Sequence, residues 1–583
     1  MPRAGRTIPT FTKSAPTISM NDYFSEIKRI VPSDRAVCFL TGACHLGTFF
    51  TSDNDLVNTR DQNSFTLPSL IIAAKETVNA TYPLFTNPTD TFESCIEEAH
   101  RLYHPAEGID FDFNLGSTTK SIEDALRVIL WITSSNHQYQ GDMIHEIANN
   151  LILSGIVGFQ SLNADTTLLD RHFQNNVGVS GKDYFITLFA LWSLTLKNFV
   201  INRNNAVKNS PRREQLEIAL NSILDSLSFR VDEPLTSSIF DHSKSYSGKA
   251  RSEAIVALRP LIKVHDDVYF SCGQPYMKIQ ITRKFLPKAL FYARRDKGDP
   301  RTELSSFIGN RLEVMFKDLC NAWNPRGGHY DEYFIDRNEA SKSSDRIAFE
   351  KHGNHDVAVL FQLKAKTLLE ASLFGGDFNV VKKDIQSAFA EMIYKSVNYI
   401  KAAKEHLDRG LHLSESESLT RRVLSAKKLV LMGISPDVPA VFTSKPIREI
   451  IEEKVREEVG EDTWAWIHTN YDRVYWHIIS LHEFEAFLCL PKNKQDFHKA
   501  ISAYFKDSRL QTDPISNTGL PDSFRSYIIK KYKSANERGQ YIEYLPALQS
   551  VFDSFMLDIK DHYFDPTSPK SDNPVPTSKK DEK

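Results

Sequence analysis

The stretch from Asp345 to Lys364 constrains the fold of this chain more than any other. Asp345-Arg-Ile-Ala-Phe-Glu350 sets charged residues around apolar ones, as a strand with one well-buried face does. His352-Gly-Asn-His355 supplies turn chemistry, and Val357-Ala-Val-Leu-Phe361 is a continuous apolar run. An unbroken run of that length between turn residues reads as a strand covered on both faces. The pattern predicts a hairpin whose second strand lies inside a sheet. Residues two apart on a strand share a side, so Gln362 and Lys364 project together. Asp345, on the first strand, is expected across from Gln362.

Those residue types suit a hard cation. The Asp345 carboxylate, the Gln362 carboxamide and the backbone carbonyl of Leu363 offer only oxygens, the donor set of Mg²⁺, with Mn²⁺ as the alternative. Phosphodiester hydrolysis needs an activated in-line water, neutralised phosphate charge and a stabilised leaving oxygen. Lys364 beside such a site can orient and deprotonate the water or stabilise the developing charge; both roles stay open. A helix from about Thr302 to Trp323 precedes the hairpin and carries Glu313. A second, from about Lys382 to Lys404, follows it and sets Gln386, Ala390, Ile393 and Ser396-Val397 along one side. Gln386 is a candidate phosphate contact. Asp356 opens the strand that carries Gln362, but six residues of strand put it about 20 Å away, so Asp345 is the preferred ligand. Lys366 replaces Lys364 if a bulge shifts the register. A buried strand whose Gln and Lys merely cap its end gives the same pattern.

In this order, Gly309-Asn-Arg-Leu-Glu-Val-Met-Phe316, Asp345 and Gln362-Leu-Lys364 resemble the PD-(D/E)XK nuclease superfamily, particularly its Mrr-like restriction branch, in which the third motif residue is often Gln. The resemblance spans roughly Thr302 to Ile434. It implies a restriction-endonuclease-like α/β core, a mixed central sheet flanked by helices, with a helix glutamate at Glu313, the metal-binding acid at Asp345 and the metal-site pair at Gln362 and Lys364. It also implies Mg²⁺-dependent cleavage of nucleic acid, most simply by a DNA endonuclease of the restriction or anti-phage defence type, as a homodimer or with a defence-system partner. The sequence departs from the pattern twice: Ser344 stands where Pro precedes the acid, and Gln362 replaces an acid. The second departure leaves a catalytically inert nuclease fold, binding nucleic acid or a partner as a scaffold, as the alternative.

A chain of 583 residues is expected to hold two to four domains, multidomain α+β overall. Residues 1–22 read as a flexible tail, 23–251 as mainly helical, with Ile122–Ile132 and Tyr184–Leu194 as core helices, and 252–300 as a basic mixed connector with a β-like run at His265–Ser271. Residues 301–440 hold the nuclease-like core, ending on the strand Leu429–Ile434. Residues 441–564 read as a helical C-terminal region, with helices at Ile447–Val459 and Asp496–Lys506, and 565–583 as a disordered tail.

The net charge of −3 offers no global attraction for nucleic acid, so a local patch is required. The connector supplies one: Lys278, Arg283, Lys284, Lys288, Arg294, Arg295 and Lys297, interleaved with Tyr276, Phe285, Phe291 and Tyr292. Lys284, Lys288, Arg294 and Arg295 are the candidate phosphate contacts, with the aromatics for base stacking; a solvated cationic helix face fits the same residues. Six cysteines without a CxxC pair read as reduced thiols. His468, His477 and His482, among Trp464, Trp466, Tyr471, Tyr475 and Trp476, read as core histidines in a strand and helix rather than a metal site. No run reaches the roughly 18 apolar residues of a membrane span and no secretory signal opens the chain, so a cytoplasmic protein without membrane contact is expected. P-loop, GxSxG, Rossmann and kinase signatures are missing.

Overall fold

A computed structural model of the chain describes residues 143–195, 200–207, 210–230, 255–297, 303–323, 325–335, 341–366, 378–410, 414–436, 438, 445–491, 495–506, 524–532 and 546–563. The expectations for both tails and for the helix Ile122–Ile132 lie outside the described residues.

Two mixed sheets organise the described chain. The smaller takes β1 (Val200–Asn202), β2 (Ser228–Arg230), β3 (Leu261–His265) and β4 (Val268–Ser271) in the order β1-β4-β3-β2, with only β2 and β3 parallel. The expected single run His265–Ser271 therefore spans the end of β3, the turn at Asp266-Asp267 and the return strand β4. Helices Gly181–Thr195 and Arg213–Leu227 contact this sheet, and with Met143–Leu153 and Thr167–Val177 they make the described part of the N-terminal region mainly helical.

The larger sheet has β5 (His329–Asp331), β6 (Arg346–His352), β7 (His355–Leu363), β8 (Lys428–Ser435) and β9 (Arg473–Ser480) in sequence order. Strands β5, β6 and β7 form an antiparallel meander, while β7, β8 and β9 run parallel. Parallel neighbours need crossovers, and helices supply them. Phe378–Ile385 runs through a π turn at Gln386–Ala390 into Glu391–Asp408, then Ser414–Leu424, before β8; Lys445–Val459 and Glu461–Asn470 precede β9. The sheet thus takes its fifth strand from the 441–564 stretch expected to be helical.

Strand β7 is sandwiched. Val357, Val359 and Phe361 pack with Ala348 beneath the helix Glu303–Trp323, while Ala358 and Leu360 pack with Ile347 and Phe349 against Ile393, Val397 and Ile400. Burial of both faces is why its sequence is apolar without alternation. On the first face Trp323 centres an aromatic cluster, with ring centroids 5.7 Å from Phe497, 5.9 Å from Phe484 and 6.1 Å from Phe361. That core runs from Ile147 to Tyr563, so the expected limits at 251, 300 and 440 do not separate cores. Arg311, 5% exposed, ties the helix Glu303–Trp323 to the N-terminal region by donating to the carbonyls of Ile152, Asn163 and Val157 at 2.5, 2.8 and 3.2 Å.

Candidate active site

Register places the first two site residues. Arg346 pairs with Phe361, so Asp345 falls opposite Gln362, and partners directly opposite in an antiparallel pair point to the same face. That face, continuing Ile347 and Leu360, is the one covered by the helix Glu391–Asp408. The Leu363 N–H donates to Asp345 Oδ2 at 2.6 Å, which fixes the carboxylate at the carboxyl end of β7. Gln362 is buried beside it.

The electrostatics around Asp345 are those of crowded acids. Burial pushes its carboxyl up to about 6, Glu332 and Glu313 add to the rise, and the Leu363 N–H and Lys395 oppose it. Glu313 is itself raised, by burial and by Glu332, against the pull of Lys342. Lys342 donates to Glu332 at 2.9 Å. Glu313 does not join Asp345 on its face: it is exposed on the helix that covers the opposite face, and reaches Asp345 through its field. Among the described residues, one set of three His, Cys, Asp or Glu ligand atoms lies mutually within 4.8 Å, and it is Glu350, Asp496 and His498 toward the other end of β6. No carboxylate cage closes on Asp345.

Lys364 shares the face of Gln362 but turns to the helix. Its ammonium donates to the Ser387 carbonyl at 2.7 Å and pairs with Glu391, which also takes Lys395 at 2.9 Å. Lys366 follows in the same direction, bonded to the Ser387 hydroxyl and 3.9 Å from Asp384. No bulge brings it there, because the β7–β8 ladder runs without a register shift. The Lys364 N–H donates to the Ile434 carbonyl at 3.0 Å and the Ser435 hydroxyl to the Lys366 carbonyl at 2.8 Å, holding the segment extended beside β8. Burial lowers the Lys366 ammonium; Asp384 and Glu391 oppose that, while Lys364 and Arg294 add to it. The π turn Gln386–Ala390 abuts both lysines, and such turns are frequent at functional sites. Gln386 is half-buried; its neighbour Ser387 makes the contacts.

Asp356 is accounted for at the far end of β7. Arg422 donates to both of its oxygens, at 2.8 and 3.3 Å, and Lys351 lies 2.7 Å away. Arg422 foremost holds its carboxyl below the usual range.

The basic stretch divides by face. Lys284 donates to the Ala257 carbonyl at 3.2 Å, and Lys288 to the Ser226 hydroxyl at 2.8 Å, its ammonium lying over the Tyr184 and Tyr292 rings. Tyr276, Phe285 and Tyr292 are core residues. The expected patch of four cations with interleaved stacking rings therefore reduces to exposed Arg294, Arg295 and Phe291, the first of which reaches Lys366 with its charge. Lys284 and Lys288 are inward because an aliphatic stem packs readily on aromatic surface.

His477 and His482 behave as core groups, whereas His468, expected among them, is exposed. Burial pushes His477 down to about 3 and His482 well below its usual value, and His468 packs edge-on against Trp464 at 4.8 Å. Cys272 and Cys320 are buried cysteines outside any disulfide.

The residues that sequence reasoning missed are Glu391, Lys395, Ser387, Glu332 and Lys342. Glu391 and Lys395 form an i, i+4 pair on the helix after the hairpin, the one local signal that marked them. Among the described residues no helix is long and apolar enough to cross a membrane. Compared with protein-family models, curated proteins and solved structures, the chain matches none.

Proposed function

We propose that this chain is a metal-dependent nuclease acting on DNA, a restriction or anti-phage defence endonuclease that works as a homodimer or with a defence-system partner. The observation that carries the proposal is Asp345 set opposite Gln362 at the carboxyl end of β7, with Lys364 on the same face. A five-stranded mixed sheet with helices on both faces is the scaffold the motif resemblance implies.

The residues fit a divalent cation. Burial, Glu332 and Glu313 raise Asp345, and burial and Glu332 raise Glu313, the mark of a place short of positive charge. The donors are oxygens, and their small number suits Mg²⁺, which keeps several waters. Asp345, Gln362 and the Leu363 carbonyl would hold the ion, which when bound acidifies water and polarises a phosphoryl oxygen. Lys366, bonded to the Ser387 hydroxyl, adds a second cation just beyond the carboxyl end of β7. Lys364, oriented by Glu391 and Ser387, faces the charge that develops on phosphate, and Arg294 and Arg295 hold flanking phosphates.

The scaffold reading keeps one observation in its favour: Lys364 is already engaged by Glu391 and Ser387. Purified protein with Mg²⁺ or Mn²⁺ on plasmid, single-stranded DNA and RNA separates the two. Cleavage lost in Asp345→Ala and Lys364→Ala supports the nuclease. Binding without cleavage favours the scaffold, and cleavage indifferent to both substitutions overturns the site.

A further inference from the structure

The helix Phe285–Lys297 divides its residues between two sides. Phe285, Leu286, Ala289, Tyr292 and Ala293 are buried, and Tyr292 and Phe285 meet Phe173 of the helix Thr167–Val177 with ring centroids 5.2 and 5.8 Å apart. Phe291 stays outside this core, 60% exposed. Three and four positions further on stand Arg294 and Arg295, both exposed, and that spacing puts all three on one side of the helix. An apolar ring and two guanidinium groups thus share an open surface.

Asp296, the one acid of this helix, does not neutralise them. Its carboxylate lies 2.7 Å from His172 Nδ1 and accepts from the Asn176 and Asn175 amides at 2.8 and 3.2 Å, which turns it toward the helix Thr167–Val177. Among the described residues Arg294 and Arg295 form no ion pair. Arg294 is close enough for its charge to bear on Lys366, so this surface adjoins the carboxyl end of β7, where Asp345 and Lys364 stand. Duplex binding without base contacts draws its affinity from many phosphate contacts, and a chain of net charge −3 with two unpaired arginines here is poorly equipped for that. A ring flanked by cations suits an unpaired strand, whose base faces are open for stacking and whose adjoining phosphates reach the arginines.

We propose that Phe291 is a stacking platform for an unpaired base, with Arg294 and Arg295 on the adjoining phosphates, so that the candidate active site receives single-stranded DNA. The inference rests on the nuclease reading for the chemistry at Asp345 and adds the form in which substrate arrives. Inside a duplex both faces of a base are covered by its neighbours, so the ring meets a base only where the strands have separated. Every base has a π-face, and the platform therefore selects strandedness and not sequence. Phosphate contacts release counterions and weaken with salt, whereas stacking on the ring does not depend on that release, so the two kinds of contact are separable.

The test measures, by fluorescence anisotropy in EDTA, binding of full-length protein carrying Asp345→Ala to labelled oligothymidylate and to a duplex of the same length. Tighter binding of the single strand is expected. Adding Phe291→Ala weakens it about 5–150-fold, as loss of one stacked base does, and leaves its salt dependence unchanged, while Phe291→Trp preserves affinity. Adding Arg294→Gln or Arg295→Gln instead reduces the slope of log affinity against log salt by about 0.7 each. All three positions are exposed, and circular dichroism checks that the fold persists. Equal affinity for duplex and single strand, or a folded Phe291→Ala variant that binds the single strand as its parent does, overturns the proposal even if the wild type cleaves DNA. So does a Phe291→Ala variant that changes oligomeric state with single-strand binding intact, which assigns the ring to a contact between copies of the chain. Phe291-dependent binding by a wild-type protein that cleaves nothing upholds the platform and brings down the nuclease reading alone.

Discussion

If Asp345 sits in the fold at an energetic cost, removing its charge stabilises the protein, and the size of the gain follows from the site. Its carboxyl is pushed up to about 6 from an ordinary 3.8. At 1.36 kcal/mol per pH unit, that difference corresponds to about 3 kcal/mol. Below pH 3.8 the group is protonated in both folded and unfolded chains and contributes nothing. Between 3.8 and about 6 the folded state binds more protons than the unfolded, so stability falls as pH rises, and above 6 the full cost is present. Asp345→Asn keeps an oxygen for the Leu363 N–H, now in a neutral and weaker hydrogen bond, so the net gain is expected at about 1–3 kcal/mol at pH 8 and near zero at pH 4. Urea denaturation of the two proteins at both pH values measures it. Saturating Mg²⁺ should shrink the difference, since an ion at 100 times its dissociation constant stabilises the wild type by about 2.7 kcal/mol and has lost a ligand in the variant. A variant that is less stable at pH 8, or equally stable at both pH values, would refute the account of crowded, buried charge.

Two packing predictions test how the layers are joined. Arg311→Lys loses the planar fork that serves three carbonyls, and urea denaturation should show a loss of about 3–6 kcal/mol, since each lost charge-assisted bond costs about 1.5–3 and lysine recovers one of the three. Trp323→Ala empties the centre of the aromatic cluster and frees the Gln495 carbonyl from its Nε1 donor at 3.3 Å; a loss of about 3–5 kcal/mol is expected, and a loss below 1 kcal/mol would contradict the packing described.

The hairpin was legible because two independent physical signals coincide in it. Double-sided burial demands an unbroken apolar run for β7, and the Gly353-Asn354 turn, with Gly353 at φ +62°, fixes the register that sets Asp345 opposite Gln362. Strand β9 was harder: Arg473-Val-Tyr-Trp-His mixes polar and aromatic residues because Arg473, Val474 and Tyr475 are incompletely buried, so its membership of the sheet depends on pairing with β8. Glu391 was invisible as the partner of Lys364 because the crossover helix brings it back across 27 residues. The connector misled for a geometric reason. Helical spacing says which residues share a side, not which side faces the core, and Lys284 and Lys288 occupy the inner one.

The position of the candidate active site follows from the sheet's mixed topology. Strands β7, β8 and β9 are parallel, so their carboxyl ends open at one edge, where crossover connections leave a crevice. Lys364 and Lys366 follow β7 there, Ser435 and Pro436 end β8, and His482 follows β9. Beside them Glu146, Asn149, Asn150 and Arg283, from the helix Met143–Leu153 and the end of Gln274–Thr282, line a polar cleft with Pro436 and His482. Asn150 holds these two helices together by donating to the Ile281 and Thr282 carbonyls at 2.7 Å each. The N-terminal region and the basic connector thus form part of the same edge as the candidate active site, and a substrate lying across Asp345 and Lys364 would meet surfaces supplied by both.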